Sequence, residues 1–329
     1  MHLTEHWQGL GPLNIALWPL SAVYAGLVAL RRSLYRHRYL GQWRSPVPVI
    51  VVGNITAGGS GKTPLVSWLA KYLLDQGFQP GIVSRGYRAQ NTDWPQLVTP
   101  DSDPDQCGDE PVMLAQQTGC PVSVGPDRPA AVRALLATHA CDIILSDDGL
   151  QHYALARDIE IAVIGAQGLG NRLMLPAGPL REPPSRLDSV DLVIHHGPVE
   201  TGHHIRLSEP TLVPLDPTTT TPPQTLSQYR GQRIHAVAGI AYPERFYNLL
   251  RAQGIQLETH TYPDHHRYTA ADLAYSETLP ILMTHKDAVK CRRYAIPNAW
   301  VVQVTAQPDS RFIETLQQQI TALCSTNNC

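Results

Sequence analysis

The chain has 329 residues, a length typical of two domains with a sizeable buried interior, which excludes a peptide hormone or a lone binding module. Its 26 Lys and Arg residues against 28 Asp and Glu residues give a net charge of −2, so the chain lacks the broad cationic field of a nucleic-acid-binding protein. Six scattered cysteines form no C-x-x-C pair, which suits a reducing compartment better than a disulfide framework and indicates a cytosolic protein.

The N-terminal segment is apolar and ends in a cluster of positive charge. No charged residue occurs from Trp7 to Leu30, and arginines follow at positions 31, 32, 36, 38 and 44. A secretory signal would carry its positive charge before the apolar run, so export is disfavoured. Pro12 and Pro19 interrupt the run and weaken the case for a full membrane span.

We therefore predict a helix that starts near Pro19, with its arginines at the far end. Such a helix can lie in a membrane interface with the arginines near anionic head groups, and a core helix that caps the first domain is the equal alternative. The residues expected along one side are Leu20, Val23, Tyr24, Leu27, Val28, Leu34 and Tyr35.

After Pro48, short β-rich runs alternate with helical stretches. This alternation predicts an α/β fold with a mostly parallel sheet covered by helices on both faces. The predicted strands are Val49–Val52, Gly81–Ser84, Ile143–Ser146, Ile159–Ile164 and Leu192–His195, and the predicted helices are Lys62–Asp75 and Arg128–His139.

The stretch 210–224 is rich in proline and contains four consecutive threonines, which is typical of a linker. A smaller C-terminal α/β domain is predicted beyond it, with strands Ile234–Ile240, Ile281–Thr284 and Trp300–Val304 and a helix Pro243–Gln253. A last helix opens at Asp309, runs to about Cys324 and could pack back on the first domain. We expect a membrane-associating helix in residues 1–44, a nucleotide-binding domain in 45–209, a linker in 210–229 and the smaller domain in 230–329.

A glycine-rich loop follows the first strand directly and opens a helix. Its backbone N–H groups can turn inward around phosphate oxygens, and the helix N-terminus adds a positive dipole end. In this P-loop pattern Lys62 reaches the β- and γ-phosphates of ATP and the Thr63 hydroxyl binds Mg²⁺, although Thr56 stands where the pattern has Gly. The predicted nucleotide-binding residues are Thr56, Ala57, Gly58, Gly59, Ser60, Gly61, Lys62 and Thr63.

A second apolar strand ends in the acidic pair Asp147 and Asp148. A strand that delivers a carboxylate beside the phosphate loop is how P-loop proteins hold or orient Mg²⁺. Adjacent residues of a strand face opposite ways, so one of the two carboxylates is expected to point at the metal.

Taken with other motifs, these residues resemble the tetraacyldisaccharide 4′-kinases, the lipid A 4′-kinase family of the P-loop NTPase superfamily. That family tolerates a residue other than Gly at position 56, and this chain has His285 where the family pattern has Glu. The matching segments are Gly53–Pro64, Ser84–Tyr87, Gly108–Pro111, Asp147–His152, Gly178–Glu182, Asp264–His265 and Lys286–Lys290.

The resemblance implies transfer of the ATP γ-phosphate to the 4′-hydroxyl of an acylated glucosamine disaccharide 1-phosphate, which gives lipid IVA. The acceptor lies in a bilayer, so the expected location is the cytoplasmic face of the inner membrane, with peripheral or N-terminal attachment through the helix. Neither a protein partner nor nucleic acid is expected.

The resemblance also implies roles for individual residues. Asp109 would receive the proton of the sugar hydroxyl with His265 oriented against it. The metal would be held by Thr63, one of Asp147 and Asp148, and Glu110. The residues expected near the substrate are Arg128, Gln151, His152 and Arg181.

Two other functions fit the phosphate loop. A regulatory GTPase or metallochaperone would need a guanine-reading Asn-Lys-x-Asp element, and the nearest string, Thr284–Asp287, fails that pattern. A structural ATP-binding membrane protein would leave Asp109 and His265 without a role. The pairs His195–His196 and His203–His204 are interpreted as surface-loop histidines rather than zinc ligands, because no cysteine is near them.

Overall fold

The computed structural model describes residues 5–197, 202–219, 221–275 and 279–327. The strands are β1 Val49–Gly53, β2 Pro80–Ser84, β3 Gln96–Val98, β4 Val122–Val124, β5 Ile143–Asp147, β6 Ile159–Ile164, β7 Leu192–His196, β8 His203–Leu207, β9 Thr211–Pro214, β10 Gln224–Thr225, β11 Arg233–Ala238, β12 Gln256–Thr261, β13 Ile281–Thr284, β14 Ala299–Gln303 and β15 Ala306–Pro308. The helices are α1 Pro12–Arg36, α2 Lys62–Asp75, α3 Pro104–Cys107, α4 Asp109–Thr118, α5 Arg128–Thr138, α6 Pro243–Ala252, α7 His285–Cys291 and α8 Ser310–Asn327. Short 3₁₀ turns span Glu5–Gln8, Pro184–Ser189, Leu226–Tyr229 and Ala271–Leu273.

Nine of the described strands form one sheet in the order β15-β8-β7-β6-β1-β5-β2-β4-β3. All of its pairings are parallel except those of the two outermost strands, β15 and β3. Every residue of β1, β2, β5 and β6 is buried, as expected for strands that are covered on both faces. The predicted α/β architecture is confirmed, and the bounds of the strands and helices predicted between Val49 and Val304 agree with the structure to within two residues.

Helices cover both faces of this sheet because each turns an apolar stripe inward. Leu65 of α2, Val112 of α4 and Phe312 of α8 belong to the core on one face. Val132 of α5 belongs to the core on the other face, where Tyr24 of α1 packs against it. The end of the chain, β15 and α8, therefore returns to the first sheet.

A second sheet has the order β10-β9-β14-β13-β11-β12, in which β11 to β14 are parallel and β9 and β10 are antiparallel additions. Helix α6 packs on one face and α7 on the other. The strand β9 lies within the stretch predicted as a linker, and its Leu212 is fully buried. Pro214 is the last residue of β9, where a missing N–H donor is tolerated better than inside a strand.

Helix α1 begins at Pro12, so the predicted start near Pro19 is wrong and Pro19 lies inside the helix. The side chain of Asn14 explains the earlier start, because its Oδ1 accepts from the Gly11 N–H at 2.8 Å and caps the first turn. The residues predicted along one side also divide: Tyr24 and Val28 pack on the protein core, whereas Leu20, Val23 and Leu27 are exposed. Among the described helices, α1 is the one long and apolar enough to cross a membrane.

Candidate active site

The phosphate loop connects β1 to α2 and depends on glycine at two positions. Gly58 and Gly61 have φ values of +100° and +77°, in the left-handed region that residues with a Cβ rarely adopt. Gly61 is also the N-cap of α2, so the loop runs directly into a helix N-terminus. This is the strand, loop and helix arrangement that binds phosphate through backbone N–H groups.

Thr56 occupies the predicted glycine position without strain because its backbone forms an antiparallel bridge with Leu180. The neighbouring Ala57 N–H donates to the Pro179 carbonyl at 2.7 Å, and the Arg181 N–H donates to the Ile55 carbonyl at 2.7 Å. The segment Pro179–Arg181 therefore braces the first half of the phosphate loop. An extended residue paired in this way does not need the conformational freedom of glycine.

Lys62, in the first turn of α2, lies between two groups that follow β1 and β5. Its Nζ donates to Asn54 Oδ1 at 3.2 Å and forms an ion pair with Asp148 at 3.3 Å. Arg181 binds the same Asp148 carboxylate with a closest distance of 3.0 Å. Burial alone would raise the pKa of Asp148, but the Lys62 and Arg181 charges outweigh it and lower the pKa to about 2.

Asp147 is the last residue of β5 and is almost completely buried. Its Oδ2 accepts from the Ser84 hydroxyl at 3.3 Å, whereas its Oδ1 has no hydrogen-bond partner among the described residues. Burial, followed by the charges of Glu110 and Asp148, raises the pKa of Asp147 to about 7. A buried carboxylate oxygen without a partner is costly unless a cation binds it, so the site fits Mg²⁺.

The predicted Mg²⁺ ligands converge only in part. Glu110 lies close enough to Asp147 for its charge to act on that carboxyl, and Thr63 follows Lys62 in the first turn of α2. Asp148 instead binds Lys62 and Arg181. Of the two aspartates, Asp147 is therefore the one with a carboxylate oxygen that no described group binds.

Asp109 and His265 meet although Asp109 is on a helix that packs on the first sheet and His265 follows a strand of the second sheet. Asp109 is the first residue of α4, after Gly108 with its φ of +94°, and His265 follows β12. His265 Nδ1 lies 3.0 Å from Asp109 Oδ2, and His265 Nε2 lies 3.2 Å from Lys286 Nζ. An ammonium group can only donate, so Nε2 accepts from Lys286 and Nδ1–H donates to Asp109.

This contact network sets the charge of Asp109. Burial raises the pKa of its carboxyl, but the His265 hydrogen bond and the Lys290 ammonium, 3.7 Å away, together lower it below the ordinary value. Asp109 also precedes Glu110, whose charge acts on Asp147. The predicted base therefore lies at the same edge of the sheet as the phosphate loop.

Two of the predicted substrate residues bind protein groups around this edge. The Arg128 guanidinium is buried and donates to the carbonyls of Gly125 at 2.7 Å and Asp147 at 3.2 Å, which favours support of the Asp147 backbone over contact with a substrate phosphate. Gln151 Nε2 donates to the Asn54 carbonyl at 3.0 Å and to Glu182 at 2.7 Å.

His152 is held neutral, since burial, followed by the charges of Arg128 and Arg85, lowers its pKa to about 3. Arg181, as described, binds Asp148. Of the four predicted substrate residues, Arg128 is buried, whereas Gln151, His152 and Arg181 are partly accessible.

Sequence reasoning assigned no role to several residues that complete the site. Lys286 and Lys290 are four residues apart on α7, a helical spacing that places both near the Asp109–His265 pair. Asn54 follows β1 directly and contacts Lys62. Their position inside the motif strings is the signal that could have identified them.

The histidine pairs were wrongly placed in surface loops. His195 and His196 end β7, and His203 and His204 begin β8. The ring of His196 packs on the phosphate loop so closely that a Cβ added to Gly61 would lie 2.1 Å from Nε2. His285, where a Glu was expected, is buried and contacts Gln117 at 2.9 Å.

Known proteins are similar to this chain in sequence and in fold. Residues 13–321 match the family model described as tetraacyldisaccharide-1-P 4′-kinase. A tetraacyldisaccharide 4′-kinase of Azoarcus sp. (strain BH72) is 49% identical, with 95% of each chain covered. One of Pseudomonas putida is 44% identical, covering 98% of this chain and 97% of the relative. A solved structure of LpxK from Aquifex aeolicus in complex with ATP superposes with a TM-score of 0.81 at 26% identity, covering 94% of this chain and 99% of that one.

Proposed function

Because the chain belongs to the tetraacyldisaccharide-1-P 4′-kinase family, we propose that Asp109 receives the proton of the acceptor hydroxyl beside a triphosphate bound by Lys62 and the phosphate loop. The protein is an ATP-dependent kinase that phosphorylates the 4′-hydroxyl of a tetraacyldisaccharide to give lipid IVA. Its relatives support this activity and not the regulatory GTPase or metallochaperone alternative.

The contact between His265 Nδ1 and Asp109 Oδ2 is the observation that carries the proposed mechanism. The Nδ1–H group donates a hydrogen bond to the carboxylate, which keeps Asp109 ionised and oriented until it accepts the hydroxyl proton. Lys286 fixes the imidazole tautomer from the other side. Phosphoryl transfer needs alignment and charge neutralisation above all, and these residues supply the alignment of the attacking oxygen.

The phosphate loop and the residues around it would bind ATP. On binding ATP, Lys62 exchanges its contact with Asp148 for phosphate oxygens, while Arg181 keeps the Asp148 carboxylate in place. Asp147, Glu110 and Thr63 would hold Mg²⁺, which neutralises phosphate charge when it is bound. His196 supports the loop from β7 by packing on Gly61.

Helix α1 would dock the protein on the membrane that contains the acceptor. One side of α1 is hydrogen-bonded to the protein: Asn14 Nδ2 donates to the Ala177 carbonyl at 2.7 Å, Ser21 Oγ to the Met174 carbonyl at 2.8 Å and Tyr24 Oη to the Arg181 carbonyl at 3.2 Å. The other side exposes Leu13, Ile15, Trp18, Leu20, Val23, Leu27 and Leu30. A helix attached along its length to the protein is better suited to lie in an interface than to span it.

The arginines at the end of α1 support the same orientation. Arg31, Arg32 and Arg36 follow the exposed apolar residues and can approach anionic head groups. The segment that α1 contacts includes Arg181, which binds Asp148, so the active site would face the head-group plane. We place the protein on the cytoplasmic face of the inner membrane, and assign the acceptor's 1-phosphate to the cationic side chains of this face.

The two sheets suggest two lobes, with the first sheet carrying the phosphate loop and Asp109 and the second carrying His265. In this division, β15 and α8 join the proposed kinase domain 45–209 rather than the smaller domain 230–329. Strands β9 and β10, from the proposed linker 210–229, join the smaller domain. Bringing His265 to Asp109 requires the lobes to meet at the active site.

Incubation of the full chain with labelled ATP, Mg²⁺ and an acylated disaccharide 1-phosphate in mixed micelles tests the mechanism. We expect label transfer to the lipid that depends on Asp109 and His265. Hydrolysis that does not require the lipid, or full transfer by the Asp109→Asn variant, would contradict it.

A further inference from the structure

A cluster of two histidines and a glutamate lies on the second sheet, apart from the phosphate loop and the Asp109–His265 pair. His235 is on β11, and Glu258 and His260 are on the outermost strand β12. The parallel register places His235 opposite Glu258, and His260 is two residues further along the same strand. Residues two apart on a strand share a face, so all three side chains lie on one side of the sheet.

The donor atoms of the cluster are already close together. His235 Nδ1 lies 3.0 Å from His260 Nε2 and 3.2 Å from Glu258 Oε2, and all three donor atoms lie within 4.8 Å of one another. In a tetrahedral site with bonds of about 2.0–2.1 Å, ligand atoms are separated by about 3.3 Å. The His235–His260 and His235–Glu258 separations therefore already match those of a tetrahedral site.

Neighbouring side chains hold the three ligands in this arrangement. The Tyr275 ring stacks on His260 with centroids 4.0 Å apart and lies 4.8 Å from His235. Tyr275 Oη is in turn 2.8 Å from Tyr262 Oη. The Arg233 guanidinium binds the other oxygen of Glu258. The Arg233 contact is of the kind that orients metal-binding carboxylates in proteins, and the Tyr275 ring restricts both imidazoles by packing.

Burial and the arrangement of lone pairs favour a cation at this position. The His235 side chain is 5% exposed and Glu258 is 34% exposed, so the cluster is closed on the sheet side and open to solvent through the carboxylate. The two imidazole nitrogens face each other at a distance that needs a shared proton, and a cation in place of that proton satisfies both lone pairs and the carboxylate.

We propose that His235, Glu258 and His260 bind one divalent cation of the zinc class, with solvent completing the coordination. Two imidazoles and one carboxylate suit Zn²⁺, Co²⁺ or Ni²⁺ better than Mg²⁺, which prefers oxygen ligands only. The ion would cross-link β12 to β11. Since Asp264 and His265 follow β12, such a cross-link would stabilise the strand that delivers His265 to the active site.

The proposal is tested by measuring zinc binding to the full chain, which is first solubilised in detergent and treated with a chelator. MgATP is present throughout the measurement. Titration of ZnCl₂ against a chromophoric chelator should show one tight equivalent per chain. His260→Ala should weaken that equivalent by at least tenfold. His139→Ala, which removes an exposed histidine at the end of α5, should leave it unchanged.

Equal zinc affinity in His260→Ala and in the unmodified chain would overturn the proposal, as would an equal loss in His139→Ala. If His260→Ala does not fold, Glu258→Gln takes its place and should also weaken binding at least tenfold. X-ray absorption at the zinc edge gives an independent measurement: two imidazole ligands are expected, and fewer than two would contradict the assigned ligand set.

Discussion

The imidazole of His265 and the carboxylate of Asp109 share a hydrogen bond of 3.0 Å across 156 residues of sequence. His265 adopts a φ of +63°, an uncommon conformation for a residue with a side chain. Such a backbone persists where surrounding contacts hold it, and Asp109, Asp264 and Lys286 supply those contacts.

Asp109→Asn should abolish most phosphate transfer while leaving ATP binding intact. The amide cannot accept the hydroxyl proton, and loss of general-base catalysis costs about 10²–10⁴-fold in kcat. Steady-state kinetics and calorimetric titration of ATP check both parts. Asp101→Asn, on an exposed turn, is the control and should change neither. A matching loss of ATP affinity in Asp109→Asn would assign the residue to nucleotide binding instead.

Mg²⁺-dependent ATP binding should weaken as the pH falls from 8 to 6. The pKa of Asp147 is raised to about 7, so below that pH a proton must leave before the carboxylate can bind a cation. The expected loss is up to about tenfold for each pH unit below 7. Mg²⁺ titrations at fixed ATP and three pH values measure it. Asp147→Asn should bind Mg²⁺ weakly at every pH, and an unchanged slope in that variant would exclude Asp147 as the source.

The raised pKa of Asp147 should also make the free energy of unfolding depend on pH, with a sign opposite to that of Mg²⁺-dependent ATP binding. Its folded pKa lies above the ordinary value of 3.8, so the free energy of unfolding falls as the pH rises from about 4 to 7. Asp147→Asn removes the ionisable group and should raise the free energy of unfolding at pH 7.5, without Mg²⁺, by on the order of 4 kcal/mol. Urea unfolding at pH 5 and 7.5 tests this. If the variant is less stable than the unmodified protein at pH 7.5, ionised Asp147 does not destabilise the folded state.

Gly61→Ala should eliminate ATP binding. The φ of +77° disfavours any Cβ, and the added methyl group would also collide with His196 at 2.1 Å. Gly77→Ala separates the two effects, because Gly77 has a φ of +88° with open space around it. We expect Gly77→Ala to cost about 1 kcal/mol of stability and to bind ATP normally. Isothermal titration and thermal unfolding distinguish these outcomes. Normal ATP affinity in Gly61→Ala would contradict the tight packing of His196 on Gly61.

Replacing Leu20, Val23 and Leu27 together by Ser should release the protein from membranes. These side chains are each more than half exposed, so their loss leaves the protein core intact. At roughly 1–2 kcal/mol for each side chain that enters the interface, vesicle partitioning should fall by at least ~10²-fold. Sedimentation with anionic vesicles measures it, and ATP affinity should not change. Leu74→Ser, an exposed leucine on α2, is the control. Unchanged sedimentation of the triple variant would rule out docking through α1.

Much of the fold could be predicted from sequence because local pattern and burial agree in it. The strand Ile159–Ile164 and the helix Lys62–Asp75 have the predicted bounds. The strand is apolar except for one residue and is followed by a glycine, and the helix is apolar on one side and ends in polar residues. Helix α1 could not be predicted so well. Its start depends on Asn14, which caps the helix and binds Ala177, a residue 163 positions away.

The candidate site divides in the same way. The phosphate loop could be predicted because its motif is local in the sequence. The packing of His196 on Gly61 could not, because it depends on β7 and the loop being neighbours in the fold. Arg128 shows the converse problem. The resemblance implies that Arg128 lies near the substrate, but burial places its guanidinium on two backbone carbonyls.

The attachment of α1 to the segment Met174–Arg181 has a kinetic consequence. An enzyme held at an interface finds a lipid acceptor by lateral diffusion in two dimensions. Its rate then depends on the mole fraction of acceptor among the surrounding lipids rather than on the bulk concentration. Dilution with inert detergent or phospholipid at constant total acceptor should therefore slow turnover, as in surface-dilution kinetics.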